Sequence, residues 1–195
     1  MKKWEVDWIK RGRQKQAIFR VIQNPMTPAE ILGRSREINS KITFGDVTNI
    51  VRMGEKKGIV ICLTPERLTG RIYFLTKYGR SLVNDTYGLK IRRERAGIDW
   101  GKYADIAAGK TRRHVLLALD HAGIQHKTGL TLAQIRRRVN SKYPTSLSQM
   151  QSSVRPLARN GLVTMTGFTK KRSLKQYELT DEGMAMSGYL REISQ

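Results

Sequence analysis

The sequence has a single cysteine, Cys62, and no long apolar run among its 195 residues. One cysteine excludes an internal disulfide and a cysteine-rich zinc site, and its place beside Val60 and Ile61 predicts a buried, unreactive thiol. No stretch approaches the roughly 18 consecutive apolar residues of a membrane span, and residues 1–5 lack the apolar start of a secretory signal. These absences favour a cytoplasmic location over secretion or membrane insertion.

Acidic residues are also scarce. The chain has 37 lysines and arginines against 16 aspartates and glutamates, which gives a formal charge of +21. Positive charges in such excess repel one another unless a bound polyanion neutralises them. The charge therefore predicts nucleic acid as the partner and a nucleoid-associated protein. An anionic membrane surface is the weaker alternative. The hydrophobic content of 39% argues against a fully disordered polycation.

Patterns that would carry chemistry are weak. Residues 108–111 (AGKT) resemble the end of a phosphate-binding loop, but Ala104 stands where that motif requires its first glycine. The three histidines, His114, His121 and His126, lack the four-residue spacing that places two metal ligands on one helical face. No paired carboxylates and no nucleophile beside a base emerge. We therefore expect no enzymatic activity, no metal and no cofactor.

The sequence repeats itself at a nearly constant separation. Five blocks recur: 6–10 (VDWIK) as 98–102 (IDWGK), 12–22 as 109–119, 27–31 (TPAEI) as 131–135 (TLAQI), 57–60 (KGIV) as 160–163 (NGLV), and 73–79 (YFLTKYG) as 177–183 (YELTDEG). Such a repeat predicts two copies of one domain. We expect domain 1 at residues 1–88, a basic linker at 89–97 and domain 2 at 98–195.

Capping residues predict the order of helices in each copy. An amphipathic first helix is followed by S/T-x-x-E/Q capping boxes, which predict a second helix from Thr27 in copy one and from Thr131 in copy two. A third helix is predicted from Ser146 in copy two and, from a weaker box, from Thr43 in copy one.

A hairpin is expected after the third helix of each copy. Gly58 and Gly161 are predicted to end the third helices. Segments with the β-branched and aromatic character of strands follow them, at 59–63 and 71–75 in copy one and at 162–166 and 174–179 in copy two. The expected fold is therefore α+β and mainly helical, with two tandem winged helix-turn-helix domains.

The wing region carries a family resemblance. Residues 55–60 (EKKGIV) and 62–79 (CLTPERLTGRIYFLTKYG) resemble the wing and following helix start of archaeal winged-helix transcriptional regulators of the broad MarR/ArsR-like group. In copy two, residues 158–163 and 177–183 resemble the same pattern. The resemblance implies binding of double-stranded DNA and a role in transcription regulation. It places the third helix, the recognition helix, in the major groove and the wing on the backbone or minor groove.

One face of each third helix carries small polar residues followed by cations. With Gly45, the face comprises Thr48, Asn49, Arg52 and Lys56 in copy one, and Ser148, Gln151, Ser152, Arg155 and Arg159 in copy two. On such a face, the small polar residues near the helix start can contact base edges, and the cations near its end can contact phosphates. Asn49 or Gln151 would pair with adenine, and Arg52 or Arg155 with guanine. An ordinary solvent-exposed helix face is the alternative.

Further cations are expected on the DNA backbone. In the wings they are Arg67, Arg71, Lys170, Lys171, Arg172 and Lys175, and in the second helices they are Arg34, Arg36, Arg136, Arg137 and Arg138. Basic side chains that only keep the surface soluble are the alternative explanation.

The opposite faces of the third helices predict the core. The apolar positions are Phe44, Val47 and Val51 in copy one and Leu147, Met150, Val154 and Leu157 in copy two. Gly54 stands at the position of Leu157 and predicts a loosely packed helix end. Pro156 removes a backbone donor and predicts a kinked or shortened helix. Trp8 and Trp100 are expected to anchor the start of each copy.

Two recognition helices in one chain predict a monomer that acts as a pseudo-dimer, with a homodimer as the alternative. Their sites would lie about 10 base pairs apart, or a multiple of that, and would differ in sequence because the two polar faces differ. A replication or plasmid-maintenance initiator is a second DNA function that fits. From another class, a protein-interaction module of a transcription or ribonucleoprotein assembly, with incidental RNA binding, also fits.

Overall fold

The computed structural model describes residues 3–91, 97–125, 129–140, 144–168 and 174–193. Over these ranges the chain is mixed helical with small antiparallel sheets. It divides into two compact units, Met1–Ala96 and Gly97–Gln195. None of the helices in the described ranges combines the length and apolar character that a membrane crossing requires.

The first unit consists of five helices and a hairpin within its described residues. In chain order these are α1 Lys3–Lys10, α2 Arg13–Val21, α3 Pro28–Ile38, α4 Phe44–Lys56, β1 Val60–Cys62, β2 Tyr73–Leu75 and α5 Lys77–Tyr87. The strands are antiparallel, with Val60 opposite Leu75 and Cys62 opposite Tyr73. An isolated bridge between Met26 and Tyr73 ties the start of α3 to the free edge of β2.

The second unit has the same order of helices around a three-stranded sheet. Its elements are α6 Trp100–Ala107, α7 Lys110–Gln125, β3 Leu130–Thr131, α8 Leu132–Asn140, α9 Leu147–Arg159, β4 Val163–Phe168, β5 Lys175–Leu179 and α10 Asp181–Glu192. The strand order is β3-β5-β4, all antiparallel. Strand β3 occupies the place that the Met26 bridge takes in the first unit, and the sequence patterns did not indicate it.

The predicted series of three helices and a hairpin is present in each unit, as α2, α3, α4, β1, β2 and as α7, α8, α9, β4, β5. Each series is preceded by a short helix, α1 or α6, that was not predicted. The segment expected to be a linker begins at residue 89, yet Leu89 and Ile91 pack against the core of the first unit. The Ile91 amide also donates to Asn84 Oδ1 at 3.0 Å.

Capping boxes begin the helices where the sequence predicts them. The Thr27 side chain accepts from the Glu30 amide at 3.2 Å, and Glu30 accepts in return from the Thr27 amide at 2.9 Å. Reciprocal pairs also join Thr43 to Asp46, Thr131 to Gln134 and Ser146 to Gln149. The predicted starts of α3, α4, α8 and α9 are therefore confirmed.

The tryptophans anchor the two units as predicted. Trp8 packs edge-on against Phe19, with ring centroids 5.6 Å apart. Trp100 packs in the same manner against Tyr103 and Tyr189, at 5.7 and 5.4 Å. Each indole thus contacts aromatic side chains of its own unit.

In the first unit, a threonine and two glycines join the start of α5 to the residues that follow α4. Gly58 ends α4 with a φ of 69°, a conformation that favours glycine. Thr76 Oγ1 donates to the Gly58 carbonyl at 2.7 Å and accepts from the Gly79 amide at 2.9 Å. A Cβ at Gly79 would lie 2.0 Å from the Ile59 carbonyl oxygen, so only glycine fits there. We call this arrangement the Thr-Gly clamp.

The second unit contains the same clamp. Thr180 Oγ1 donates to the Gly161 carbonyl at 2.6 Å and accepts from the Gly183 amide at 3.0 Å. Gly161 has a φ of 69°, and a Cβ at Gly183 would lie 2.0 Å from the Leu162 carbonyl oxygen. The clamp gives a physical reason for the recurrence of residues 73–79 as 177–183.

The core beneath α4 is filled differently from the core beneath α9. Gly54 is buried, and a Cβ there would lie 3.0 Å from Val60 Cγ2 and 3.3 Å from Phe19 Cζ. The Phe19 ring occupies the space, so the loose helix end predicted from Gly54 is wrong. In the second unit the matching positions hold Leu116 and Leu157, both buried. The first unit thus combines a phenylalanine and a glycine at the two positions where the second unit has two leucines.

We expect Gly54→Leu to lower the free energy of unfolding by about 1–3 kcal/mol, because its side chain overpacks against Phe19. Phe19→Leu alone also destabilises, since it leaves a cavity. The double variant reproduces the leucine pair of the second unit and should recover most of the loss. Urea denaturation of the four proteins measures this coupling, and purely additive losses would contradict it.

Two other packing predictions are corrected. Phe44 and Leu147 were assigned to the core, but both are about half exposed, since each is the first residue of its helix and lies beyond the end of the buried stripe. The shortening predicted from Pro156 is also wrong. Helix α9 runs through Pro156 and has 13 residues, as α4 does, although the proline cannot donate to the Ser152 carbonyl.

Candidate nucleic-acid interface

The candidate recognition helices α4 and α9 each bury one face and expose another. The buried residues are Val47, Ile50, Val51 and Gly54 in α4, and Met150, Ser153, Val154 and Leu157 in α9. The side chains predicted to read DNA lie on the other face. Exposed among them are Asn49, Arg52, Lys56, Ser148, Gln151, Ser152, Arg155 and Arg159, and Thr48 is half-buried.

Two hydroxyls on these faces already donate to their own helix. Thr48 Oγ1 lies 3.1 Å from the Phe44 carbonyl and 3.0 Å from the Gly45 carbonyl. Ser152 Oγ donates to the Gln149 carbonyl at 2.9 Å. In this geometry both side chains present an acceptor oxygen outward, whereas Asn49 and Gln151 carry amides with both donors and an acceptor.

Arginines fix the turn that leads into each candidate recognition helix. Arg36 Nε donates to the Ile42 carbonyl at 2.9 Å, and Arg136 Nε donates to the Thr145 carbonyl at 2.9 Å. The two carbonyls occupy matching positions, directly before the N-cap residues Thr43 and Ser146. Both arginines were expected on the DNA backbone, and their contact with the turn was not predicted. They come from different positions along their helices, so no repeated spacing signals it.

The other basic residues of these second helices differ in exposure. Arg137 is exposed, whereas Arg34 and Arg138 are half-buried. Arg138 Nη1 lies 3.5 Å from the Ala118 carbonyl of α7, which holds that side chain along its own unit. Within the basic run 136–138, Arg136 and Arg137 are exposed and Arg138 is half-buried.

The wing of the first unit, residues 63–72, is held by its own side chains. The Ile72 amide donates to Thr64 Oγ1 at 2.9 Å, and Arg71 Nε donates to the Arg67 carbonyl at 2.7 Å. A hydrogen bond to the Tyr73 hydroxyl raises the pKa of Arg71 above its ordinary value. The two arginines predicted to touch DNA thus also shape the loop, and both are half-buried.

The wing of the second unit is described in part. Lys175 begins β5 and is exposed. The predicted contacts Lys170, Lys171 and Arg172 lie outside the described residues.

A cationic cluster that was not predicted from the sequence lies beside the end of α4. Lys15 Nζ is 4.9 Å and Lys57 Nζ is 5.3 Å from the ring centroid of Trp8. Desolvation, with added repulsion from Arg11 and Lys57, lowers the pKa of Lys15. Lys57 is the C-cap of α4, where positive charge also complements the helix dipole. Arg11, Lys15 and Lys57 are not contiguous in the sequence, so no charge run predicts the cluster.

The sequence motifs that weakly resemble metal, thiol or nucleotide sites do not form such sites among the described residues. Within the described ranges, no three His, Cys, Asp or Glu side chains group so as to hold a metal ion. Cys62 is buried as predicted. Residues 108–111 form the junction between α6 and α7, which is a helix entry. His126 lies outside the described residues.

Two solved structures resemble part of the chain. SSV1 F-93 is 19% identical, with a TM-score of 0.33, and the match covers 43% of this chain and 84% of that one. MepR, a transcription regulator of the Staphylococcus aureus multidrug efflux pump MepA, is 17% identical with a TM-score of 0.36, covering 48% of this chain and 62% of that one. No protein-family model and no curated protein sequence matches the chain.

Proposed function

We propose that this chain is a sequence-specific, double-stranded DNA-binding protein that regulates transcription through two winged helices. The observation that carries the proposal is the pair of exposed faces on α4 and α9. Their members occupy corresponding positions 103 residues apart, with Arg52 at the position of Arg155, and both faces lie on a chain with a formal charge of +21. An ordinary solvent-exposed face has no reason to keep the same progression from small polar to cationic residues in both units.

The proposal that the units are copies of one domain has independent support. Both have the Thr-Gly clamp, both begin the recognition helix with a capping box, and both hold the carbonyl before that box with an arginine. Phe19 and Gly54 in the first unit correspond to Leu116 and Leu157 in the second, as expected if two copies of one domain diverged in how they fill the same core positions.

Reading of the major groove follows from the order of side chains along each helix. Asn49 and Gln151 can pair with adenine through two hydrogen bonds, and Arg52 and Arg155 can do so with guanine. Lys56 and Arg159, one turn further on, suit phosphates. Because the two helices differ at the amide position and in their hydroxyls, we expect two unlike half-sites rather than a strict palindrome.

Several cations outside the recognition helices are proposed to contact the DNA backbone. These are Arg34, Arg36, Arg136, Arg137 and Arg138 in the second helices, and Arg67, Arg71, Lys170, Lys171, Arg172 and Lys175 in the wings. Such contacts add affinity without sequence preference and make binding salt-dependent.

The test is fluorescence anisotropy of the purified protein with a random duplex and with single-stranded RNA, across a salt series. We expect tighter binding to the duplex, with log affinity falling by about 0.9 per neutralised phosphate against log salt. Selection from a random duplex library should then enrich one asymmetric sequence. Equal or tighter RNA binding would favour a ribonucleoprotein role, and absence of duplex binding at low salt would favour a protein-interaction module.

A further inference from the structure

The first residue of each recognition helix is a large apolar side chain in contact with solvent. Phe44 is 52% exposed and Leu147 is 48% exposed. They occupy matching positions, directly after the N-caps Thr43 and Ser146. A half-exposed aromatic or leucine at the same place in both units is not explained by packing within either unit.

The backbone that carries these two side chains is fixed from both directions. On one side, Arg36 and Arg136 hold the carbonyls of Ile42 and Thr145. Ile42 and Thr145 are themselves buried. On the other side, the capping boxes join residue 43 to 46 and residue 146 to 149 in both directions. Phe44 and Leu147 therefore project from a rigid helix start rather than from a loose end.

The direction of these side chains places them at the end of the helix that approaches base edges. Side chains on an α-helix tilt toward its N-terminus, so a first residue reaches beyond the helix start. Phe44 also lies one turn before Thr48, at the border of the polar face. The N-terminal residues of a recognition helix are those that contact bases.

We propose that Phe44 and Leu147 each contact the C5-methyl group of a thymine in the major groove. Thymine's methyl is the apolar group that base edges offer there, and burial against it removes apolar surface of both partners from water. The cations that follow on the same helices fit a polyanionic duplex rather than an apolar protein partner. This inference rests on the proposed DNA-binding function and adds to it a base preference.

The experiment uses the duplex enriched by selection and a series in which each thymine is replaced by deoxyuridine, which removes only the methyl group. At one thymine in each half-site, the full-length protein should lose about threefold to fivefold in affinity, as expected for one buried methyl. Phe44→Ala should abolish the loss at one of these thymines and Leu147→Ala at the other. Ile38→Ala, which removes an equally exposed side chain from the end of α3, should leave both losses unchanged.

The outcomes separate this inference from the proposed function. If no deoxyuridine position weakens binding, or if both alanine variants keep the full methyl effect, thymine reading is wrong while DNA binding stands. If selection enriches no sequence and the duplex is not bound at low salt, the proposed function itself fails. Circular dichroism of the variants establishes that they remain folded, since both side chains lie outside the core.

Discussion

Replacing Gly79 with alanine is expected to lower the free energy of unfolding of the first unit by at least about 3 kcal/mol, the upper end of ordinary overpacking penalties. The new Cβ would lie 2.0 Å from the Ile59 carbonyl oxygen, and a backbone atom has no rotamer that relieves the clash. Gly183→Ala should do the same in the second unit, against the Leu162 carbonyl. Hydrogen exchange read by mass spectrometry resolves the two units and measures the loss in each.

Gly33→Ala is the matched control for these substitutions. Gly33 lies inside α3, and a Cβ there would meet no heavy atom within 4 Å. Alanine should therefore raise stability by about 0.8–1.0 kcal/mol, the difference in helix propensity. If Gly79→Ala were tolerated as well as Gly33→Ala, the Thr-Gly clamp would not constrain the fold as described.

Removing the cations of a recognition helix should have the largest effect on DNA binding. The pairs Arg52→Ala with Lys56→Ala, and Arg155→Ala with Arg159→Ala, each remove two exposed charges from one helix. Each pair should weaken binding to the selected duplex by at least about tenfold, because a bidentate arginine to guanine contributes about 1–3 kcal/mol of discrimination. The salt dependence should become shallower by about 0.9 for each phosphate that the variant no longer neutralises. Anisotropy titrations over a salt series provide both values.

The control for charge alone is Lys77→Ala with Lys110→Ala, which removes two exposed lysines from the starts of α5 and α7. An equal loss of affinity in this control would mean that total charge, not the recognition helices, determines binding. Arg52→Lys and Arg155→Lys separate the two roles further. Lysine keeps the charge without the planar fork, so it should still bind a phosphate but should not replace arginine on guanine.

Local signals in the sequence predicted much of the fold. Capping boxes, the helix-ending glycines Gly58 and Gly161, and strand-rich segments identified the core order of elements because each depends on neighbouring residues. The short helices α1 and α6 and the two-residue strand β3 were missed, since so few residues produce no clear periodicity. The filling of the Gly54 site by Phe19 depends on two helices distant in sequence, which no local pattern records.

The candidate site was predicted in outline. Helical periodicity separated the polar faces of α4 and α9 from the core, and the exposure of Asn49, Arg52 and Arg155 follows that pattern. Periodicity does not say where along a helix the core ends, so Phe44 and Leu147 were misassigned. The hydrogen bonds of Arg36 and Arg136 to the turn are tertiary contacts, and composition alone could not distinguish them from phosphate contacts.

The capping boxes of α4 and α9 also differ in chemistry. Asp46 closes the box of α4, and hydrogen bonds from Thr43 lower the pKa of its carboxyl, whereas Gln149 closes the box of α9 with an amide that does not titrate. Because the folded pKa of Asp46 lies below its unfolded value, its stabilising contribution is present at neutral pH and is lost as the pH falls through the folded value. Protonation of Asp46 therefore removes this contribution from the start of α4, whereas the box of α9 contains no group that titrates. If both helices bind DNA as proposed, acid would weaken the start of the first of them before that of the second.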